Sequence, residues 1–492
     1  MPEEPSRKPN IVWIMADDLS WGDLGCYGQQ KIKTPNIDRL AEEGMRFTQC
    51  HSGSTVCAPS RSSLMQGLHQ GHATVRNNST PVPEWSKHRE GPDDPLYGGC
   101  SYRHSLQPGD RTVAQVLKDA GYATGLFGKW GLAVGDQPGQ PNIMGFDEFG
   151  GYLNQRKAHT YYPEYLWHNR ETIHYSQHRG HNHRAPNEYD EQGRIIVNGV
   201  ASQDDLRYSF DVYGDAALDW IGRNADAPFF AYLAYTPPHG ALEVPELGEY
   251  TNADFPTITH KIWAAMITRM DENIGRLLDL LKERGVDDNT LIFFTSDNGY
   301  SASGYVKDPS LNDFFRHAGP WKGEKGNLYQ GGLRVPTLAR WPGRIAHESE
   351  SDLVWAFWDF LPTAAEVAGV APPAEIDGVS ILPTLLGRAD EQQQHDYLYW
   401  EHRDEQALRL GDWYVHRTHP EQPIELYHAL DDPAQANDLA TEKPEIASRV
   451  EDILREAHTP SLYVRSPGES SESWEERMRA AGVHLPNNVN VW

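Results

Sequence analysis

The residues best suited to chemistry lie at positions 57–61, in the segment CAPSR. This segment supplies a thiol at Cys57, a hydroxyl at Ser60 and a guanidinium at Arg61, and the small and apolar residues after it predict a helix. Thiolates and bound anions are both stabilised at a helix N-terminus. A cysteine ahead of a helix is nevertheless more often a buried packing residue than a nucleophile. Residues elsewhere in the chain are needed to distinguish a catalytic cysteine from a packing one.

Two pairs of oxygen ligands follow apolar runs of strand length. Asp17 and Asp18 come after NIVWIMA, and Asp297 and Asn298 come after TLIFFTS. Such runs predict buried strands, and open α/β sheets bind ligands at the carboxyl ends of their strands. Adjacent buried carboxylates need a cation if both are to be ionised, although a solvated pair at the start of a loop is the alternative. Carboxylate and amide oxygens favour calcium or magnesium over zinc.

Three further groups follow predicted strands or lie in a glycine-rich loop. Lys129 lies in GKWG, His239 lies in TPPHG after the run PFFAYLAY, and Lys325 lies in the loop GPWKGEKGNLYQGGLRVP at 319–336. Glycine lets a backbone approach a ligand closely, but a surface turn uses the same residues, and a lone histidine is usually packed. Cations around a metal site would form a pocket for an anion.

The charge balance makes such a local pocket necessary for any anionic substrate. The chain has 44 Lys and Arg against 70 Asp and Glu, a formal net charge of −26. Nucleic acid is excluded as an expected partner, because binding its phosphates depends on a basic surface. A small anion remains possible only if local cations overcome the global field.

The order of predicted elements indicates an α/β protein of two parts. Alternating strands and helices predict a large, mostly parallel sheet flanked by helices over residues 1–388, including a long amphipathic helix at 259–285. Short strands separated by Gly and Asp turns, followed by a helix and a polar tail, predict a smaller α+β domain with an antiparallel sheet over residues 389–492.

The longest apolar runs are far too short to span a membrane, and no signal peptide is visible. We expect a periplasmic or secreted protein if a signal peptide was removed, and a cytoplasmic one otherwise. Four cysteines without CxxC spacing do not indicate a disulfide framework.

Taken together, these motifs resemble the type I sulfatases of the alkaline phosphatase superfamily. The resemblance covers nearly the whole chain, through PNIVWIMADDLSWGDLGCYG, CAPSRSSLMQG, GKW, PPH, TSDNG and GEKGNLYQGGLRVP. It implies a fold like that of alkaline phosphatase and an activity that hydrolyses a sulfate ester. It also implies one calcium ion, with these ligands: Asp17, Asp18, Cys57 after its modification, Asp297 and Asn298.

The resemblance further implies that Cys57 is oxidised by a formylglycine-generating enzyme to formylglycine. Its hydrate would attack sulfur and form a covalent sulfate ester. His239 would protonate the departing alcohol, while Arg61, Lys129 and Lys325 would hold the formylglycine and the sulfate oxygens.

One departure from the family pattern concerns the base that eliminates sulfate. The family usually has GKWHLG, whereas this chain has Gly131 where that histidine stands. We predict that His159, in AHTYYP, replaces it.

The aromatic and histidine-rich insertions suit contact with a sugar, and the resemblance to sulfatases with such insertions implies a carbohydrate O-sulfate as substrate, of a galactose-type sugar. The side chains that would stack on or hydrogen-bond to the sugar are Tyr161, Trp167, Trp400 and His402. Each of the four is also compatible with simple packing.

Alternative functions remain open from the sequence. They are an arylsulfatase of broad specificity, a phosphomonoesterase, and a formylglycine-dependent phosphonate or phosphodiester hydrolase. A binder of sulfated glycans without catalysis would result if Cys57 stays unmodified. The CAPSR segment and the lack of a histidine-rich metal set at the strand ends favour sulfate over phosphate.

Overall fold

The computed structural model describes residues 7–78, 104–135, 137–155, 157–175, 188–196, 207–301 and 308–481. Its strands, in chain order, are β1 Asn10–Asp17, β2 Met45–Phe47, β3 Cys50–His51, β4 Ala123–Lys129, β5 Glu148–Tyr152, β6 Tyr165–His168, β7 Glu171–His174, β8 Glu188–Tyr189, β9 Ile195–Ile196, β10 Phe229–Pro238, β11 Thr290–Ser296, β12 Thr337–Arg340, β13 Ser349–Ser351, β14 Trp355–Ala356, β15 Leu398–His402, β16 Glu405–Leu410, β17 Trp413–Arg417 and β18 Glu425–His428.

The helices connect and cover these strands. In chain order they are α1 Pro35–Glu42, α2 Cys57–Gln66, α3 Val113–Asp119, α4 Ser209–Asn224, α5 Ile258–Glu283, α6 Ser310–Phe315, α7 Gln330–Leu333, α8 Phe360–Val367, α9 Leu382–Leu385, α10 Pro444–Glu456 and α11 Ser471–Ala480. None of the helices in the described ranges combines the length and the apolar character that a membrane crossing requires.

The main sheet has ten strands in the order β13-β2-β12-β11-β1-β10-β4-β5-β6-β7. Its centre, from β11 through β1, β10 and β4 to β5, is parallel, and antiparallel pairs occur toward both edges. The predicted large and mostly parallel sheet is therefore confirmed.

Helices cover both faces of this sheet, which explains why the central strands are continuously apolar. Every residue of β1, β10 and β11 is buried. Along β1 the side chains alternate, so that Val12 and Ile14 join one core with α4 and α5. Ile11, Trp13 and Met15 join the opposite core with α2, α3 and α8. The predicted apolar stripe of α5 is buried, at Ile262, Met266, Met270, Ile274, Leu277 and Leu281.

The four strands β15 to β18 form a separate antiparallel sheet, as the turn pattern predicts. One face of this sheet packs on α10, through Leu408 and Leu426 against Val450. The other face packs through Trp400 on residues of the larger part, including Trp358. A division of the chain at residue 388 stays a prediction.

Candidate active site

Neighbouring parallel strands bring the predicted oxygen ligands together. The register of β1 and β11 pairs Ala16 with Ser296, so Asp17 and Asp297 both follow at the same edge. The Asp18 N–H donates to Asp297 Oδ1 at 3.3 Å, and Asn298 Nδ2 donates to Asp18 Oδ1 at 2.7 Å. Asp18 has a left-handed backbone, with φ of 64°, a conformation that Asp adopts more readily than most residues. The chain thus turns sharply just after β1.

Cys57 is the first residue of α2, as predicted, and lies beside this carboxylate cluster. Its thiol donates to Asp17 Oδ1 at 3.5 Å and accepts from Lys325 Nζ at 3.1 Å. Burial, together with the charges of Asp17 and Asp297, raises the pKa of the Cys57 thiol to about 12. The thiol is therefore protonated at neutral pH, and the cysteine itself is a poor nucleophile here.

Two lysines neutralise the carboxylates. Lys129 Nζ donates to Asp17 Oδ2 at 2.5 Å, and Lys325 Nζ donates to Asp18 Oδ1. Burial alone would raise the pKa of Asp17, but the opposing charges, Lys129 foremost, lower it to about 2. The carboxylate is consequently ionised at neutral pH, and it holds the buried Lys129 ammonium at the strand ends.

Arg61 lies among the groups at the strand ends. Its guanidinium is fully buried and donates from Nε and Nη2 to Asp297 Oδ2, at 3.1 and 2.8 Å. Nη1 donates to the backbone oxygen of Lys129 at 2.8 Å and lies 3.4 Å from the Tyr232 hydroxyl. These bonds show that Arg61 positions Asp297 and the end of β4, while its predicted contact with the sulfate oxygens stays a prediction.

His239 and His159 lie against one another beside the cluster. His239 Nε2 is 3.6 Å from Asp18 Oδ2, and its Nδ1 donates to the carbonyl oxygen of Gly240. The His159 ring stacks on the His239 ring with centroids 4.3 Å apart. Burial, the largest influence, lowers the pKa of His239 although Asp18 and Asp17 oppose it. The proton on Nδ1 leaves Nε2 as the ring atom available to exchange a proton.

Tyr161 and Trp400, predicted to contact the sugar, pack inside the protein instead. Both side chains are 0% exposed. The Tyr161 hydroxyl donates to the His239 backbone oxygen at 3.0 Å, and Trp400 Nε1 donates to the Ser52 backbone oxygen at 2.9 Å. These hydrogen bonds satisfy the polar atoms of both rings, so their role is packing and positioning.

Trp167 and His402 are also buried, at 9% and 4% exposure. Trp167 lies on β6 and joins the core that contains β4, whereas His402 ends β15 of the smaller sheet. The predicted sugar contacts of all four side chains are therefore corrected to packing, because large aromatic rings fill cores as readily as they line sugar pockets.

The residues present fit a divalent cation with oxygen ligands. Asn298 Oδ1 is buried and makes no hydrogen bond within the described part of the chain, although its Nδ2 donates to Asp18 and to the Gly299 carbonyl. Ligand atoms of Asp17, Asp18, Cys57 and His239 lie within 4.8 Å of one another. An unpaired buried amide oxygen beside ionised carboxylates is what a hard cation requires.

Sequence reasoning missed two residues that support the site. Tyr232 lies within the apolar strand β10 and faces Arg61, and a hydroxyl inside such a run was the only available signal. Asn78 accepts from the Ala58 N–H at 3.0 Å and so caps α2. No local pattern predicts that bond, because α2 itself separates the two residues.

Comparisons with known proteins agree with this geometry. The sulfatase family profile matches residues 9–370, and the profile of the N-sulphoglucosamine sulphohydrolase C-terminal region matches residues 322–458. N-acetylgalactosamine-6-sulfatase of the dog is 30% identical over 425 residues, which span 83% of this chain and 72% of the relative. Human steryl-sulfatase is 29% identical over 479 residues, spanning 86% and 76%.

A solved structure has the same fold. It comes from work on glycosaminoglycan metabolism by Bacteroides thetaiotaomicron, with a TM-score of 0.72, 24% identity and coverage of 92% of this chain and 99% of that one. The family match extends over most of the chain and includes every residue of the acidic cluster. The chain therefore belongs to the type I sulfatase family of the alkaline phosphatase superfamily and is a sulfuric ester hydrolase.

Proposed function

We propose that this sulfatase hydrolyses an O-sulfate ester on a carbohydrate, with formylglycine made from Cys57 and one calcium ion. The observation that carries the proposal is the position of Cys57. It begins a buried helix and lies between Asp17 and Lys325, where its thiol is protonated. A cysteine that the site keeps as a thiol, in a family whose members hydrolyse sulfate esters, is best explained as the precursor of a different nucleophile.

A maturation enzyme that oxidises Cys57 to the aldehyde would allow the hydrate to supply an oxygen nucleophile for sulfur. Bound calcium would supply positive charge to that oxygen and to the sulfate. The unpaired Asn298 oxygen and the ionised Asp17 support the metal assignment, and Asp18 and Asp297 complete the set of oxygen ligands.

Lys129 and Lys325 provide the local positive charge that an acidic protein needs in order to hold sulfate. Lys129 is fully buried on Asp17, and Lys325 contacts both Asp18 and Cys57. In a buried site these charges are worth more than in water, because little solvent screens them. Both ammonium groups border residue 57, where the sulfate must lie for attack.

His239 is suited to protonate the leaving oxygen. Its Nδ1–H is fixed on the Gly240 carbonyl, and Nε2 faces the acidic cluster. The carboxylates of Asp18 and Asp17 favour the imidazolium against the effect of burial. A proton carried on Nε2 can then pass to the departing alcohol oxygen.

The leaving group is proposed to be a sugar of galactose type. Two observations support this: N-acetylgalactosamine-6-sulfatases of several mammals are 29–31% identical to the chain, and an N-acetylgalactosamine-6-O-sulfatase of Bacteroides thetaiotaomicron is 27% identical over 92% of it. Because human steryl-sulfatase is 29% identical to the chain, a steroid sulfate is the competing substrate class.

A sulfate-release assay tests the proposal. Protein matured at Cys57 is incubated with 4- and 6-sulfates of galactose, N-acetylgalactosamine and N-acetylglucosamine, with a steroid sulfate and with 4-nitrophenyl sulfate. We expect kcat/KM for one galactose-type sulfate to exceed that for the steroid sulfate by about tenfold or more. A steroid sulfate that is cleaved fastest would contradict the sugar assignment, and Cys57→Ala is the inactive control.

A further inference from the structure

The Gln155 side chain lies against Gly131, two residues after the active-site Lys129. Gly131 has φ of 79°, a conformation that side chains rarely allow, and a Cβ added there would lie 3.2 Å from both Cβ and Oε1 of Gln155. The glycine at 131 therefore leaves the room that the Gln155 side chain fills.

Two chain segments that reach the acidic cluster flank Gln155. After β4 and β5 the backbones stay paired, because the Gly131 N–H donates to the Leu153 oxygen at 3.2 Å. Two residues before Gly131, Lys129 contacts Asp17. Four residues after Gln155, His159 stacks on the ring of His239.

The amide oxygen of Gln155 has no partner among the described residues. The side chain is 3% exposed, and its Oε1 is buried without a hydrogen bond. A buried polar atom in this state costs free energy, and native structures contain few such atoms. A ligand that donates a hydrogen bond would remove the cost.

No donor among the described residues reaches this oxygen, so a bound ligand is one source of the missing hydrogen bond. Carboxylates and sulfate oxygens only accept hydrogen bonds, and the Lys129 ammonium donates to Asp17. A sugar hydroxyl is a donor, whereas an aryl sulfate without ring hydroxyls offers none. Because Gln155 Oε1 can only accept, a ligand that carries hydroxyl groups suits it, and an aryl sulfate without them does not.

We propose that Gln155 is a specificity residue whose Oε1 accepts a hydrogen bond from a hydroxyl of the sugar that carries the sulfate. This inference rests on the proposed carbohydrate sulfatase function and adds one recognition contact to it. Gln155 distinguishes polyhydroxylated from aromatic leaving groups, because only the first can satisfy the buried oxygen.

The test compares Gln155→Leu with wild type on two substrates, the sugar sulfate that wild type cleaves fastest and 4-nitrophenyl sulfate. We expect kcat/KM to fall about 10- to 100-fold for the sugar sulfate and to stay within about twofold for the aryl sulfate. Tm should be unchanged or higher, because leucine removes an unsatisfied polar atom. Gln155→Glu keeps an acceptor oxygen and should retain more of the sugar preference than leucine does.

Gln392→Leu is the matched control. The Gln392 amide is fully paired, since Oε1 accepts from Thr384 and Nε2 donates to the Ser380 oxygen. This control should lower Tm and leave the ratio of sugar to aryl activity unchanged.

Two outcomes would overturn the inference. They are an equal fall on both substrates with a lower Tm, and no change on either substrate. A matured wild type that cleaves no sugar sulfate, whether or not it cleaves the aryl sulfate, would instead overturn the proposed function.

Discussion

The imidazole rings of His159 and His239 stack with centroids 4.3 Å apart and planes 13° from parallel. His239 lies 3.6 Å from the Asp18 carboxylate, whereas His159 is only half-buried. The stacking places both imidazoles beside the acidic cluster, where the proposed mechanism uses His239 as the acid for alcohol release and His159 as the base for sulfate release.

We predict that replacing either histidine slows a different half of the reaction. His239→Ala should slow release of the alcohol, most for poor leaving groups, and His159→Ala should allow one equivalent of alcohol to leave in a burst before sulfate follows slowly. Each loss should be about 10²- to 10⁴-fold. Rapid-quench measurement of both products checks this, and a His159→Ala enzyme that turns over like wild type without a burst would remove His159 from the mechanism.

Removal of the proposed calcium should abolish activity, because Asp17 and Asp18 would then leave uncompensated negative charge beside residue 57. Dialysis against a chelator followed by titration with Ca²⁺ gives the affinity. Asn298→Leu should weaken that affinity by about 10- to 100-fold or more, since it deletes the buried amide oxygen that we propose as a ligand. Asn437→Ala, at an exposed position, is the control. Full activity in chelated, metal-free protein would contradict the calcium assignment.

Arg61→Met should lower stability rather than weaken substrate binding. The substitution leaves the Asp297 carboxylate buried without its guanidinium, and such unpaired charges cost about 3–5 kcal/mol of the free energy of unfolding. Denaturant unfolding measures the loss, with the exposed Arg449→Met as control. A variant of normal stability with a raised KM would instead support direct contact between Arg61 and sulfate.

His69 should make the protein less stable in mild acid. Burial, the largest influence, lowers its pKa to about 4, whereas a histidine in the unfolded chain titrates near 6.5. As pH falls between these values only the unfolded state gains the proton, so stability falls by up to about 3 kcal/mol. His69→Gln should flatten the dependence of Tm on pH between 6.5 and 4.5, and the exposed His347→Gln should not. Equal slopes in all three proteins would refute the assignment.

The parts of the fold that follow from local pattern could be predicted. β1 and β11 are uninterrupted apolar runs because helices cover both faces of the sheet, and such runs end in polar residues where the strands leave the core. The apolar stripe along α5 follows in the same way from its helical period. The positions of Asp17 and Asp297 were predictable for this reason.

Side-chain partners across long sequence separations could not be predicted. Arg61 and Asp297 are 236 residues apart, and no spacing shows that the guanidinium turns toward that carboxylate. Tryptophan rings often stack on sugars, yet tertiary packing places Trp400 in a core. The filling of the space beside Gly131 by Gln155 likewise depends on how β4 and β5 end, and only the assembled sheet determines that.

The most direct test of the account is the mass of the segment containing Cys57, measured in protein from its native host and compared with sulfatase activity. We expect a loss of about 18 Da at Cys57, the change from thiol to aldehyde, and activity proportional to the converted fraction. Cys57→Ser should be inactive unless its hydroxyl is itself oxidised. Fully active enzyme that carries only unmodified cysteine at position 57 would contradict formylglycine as the source of the nucleophile.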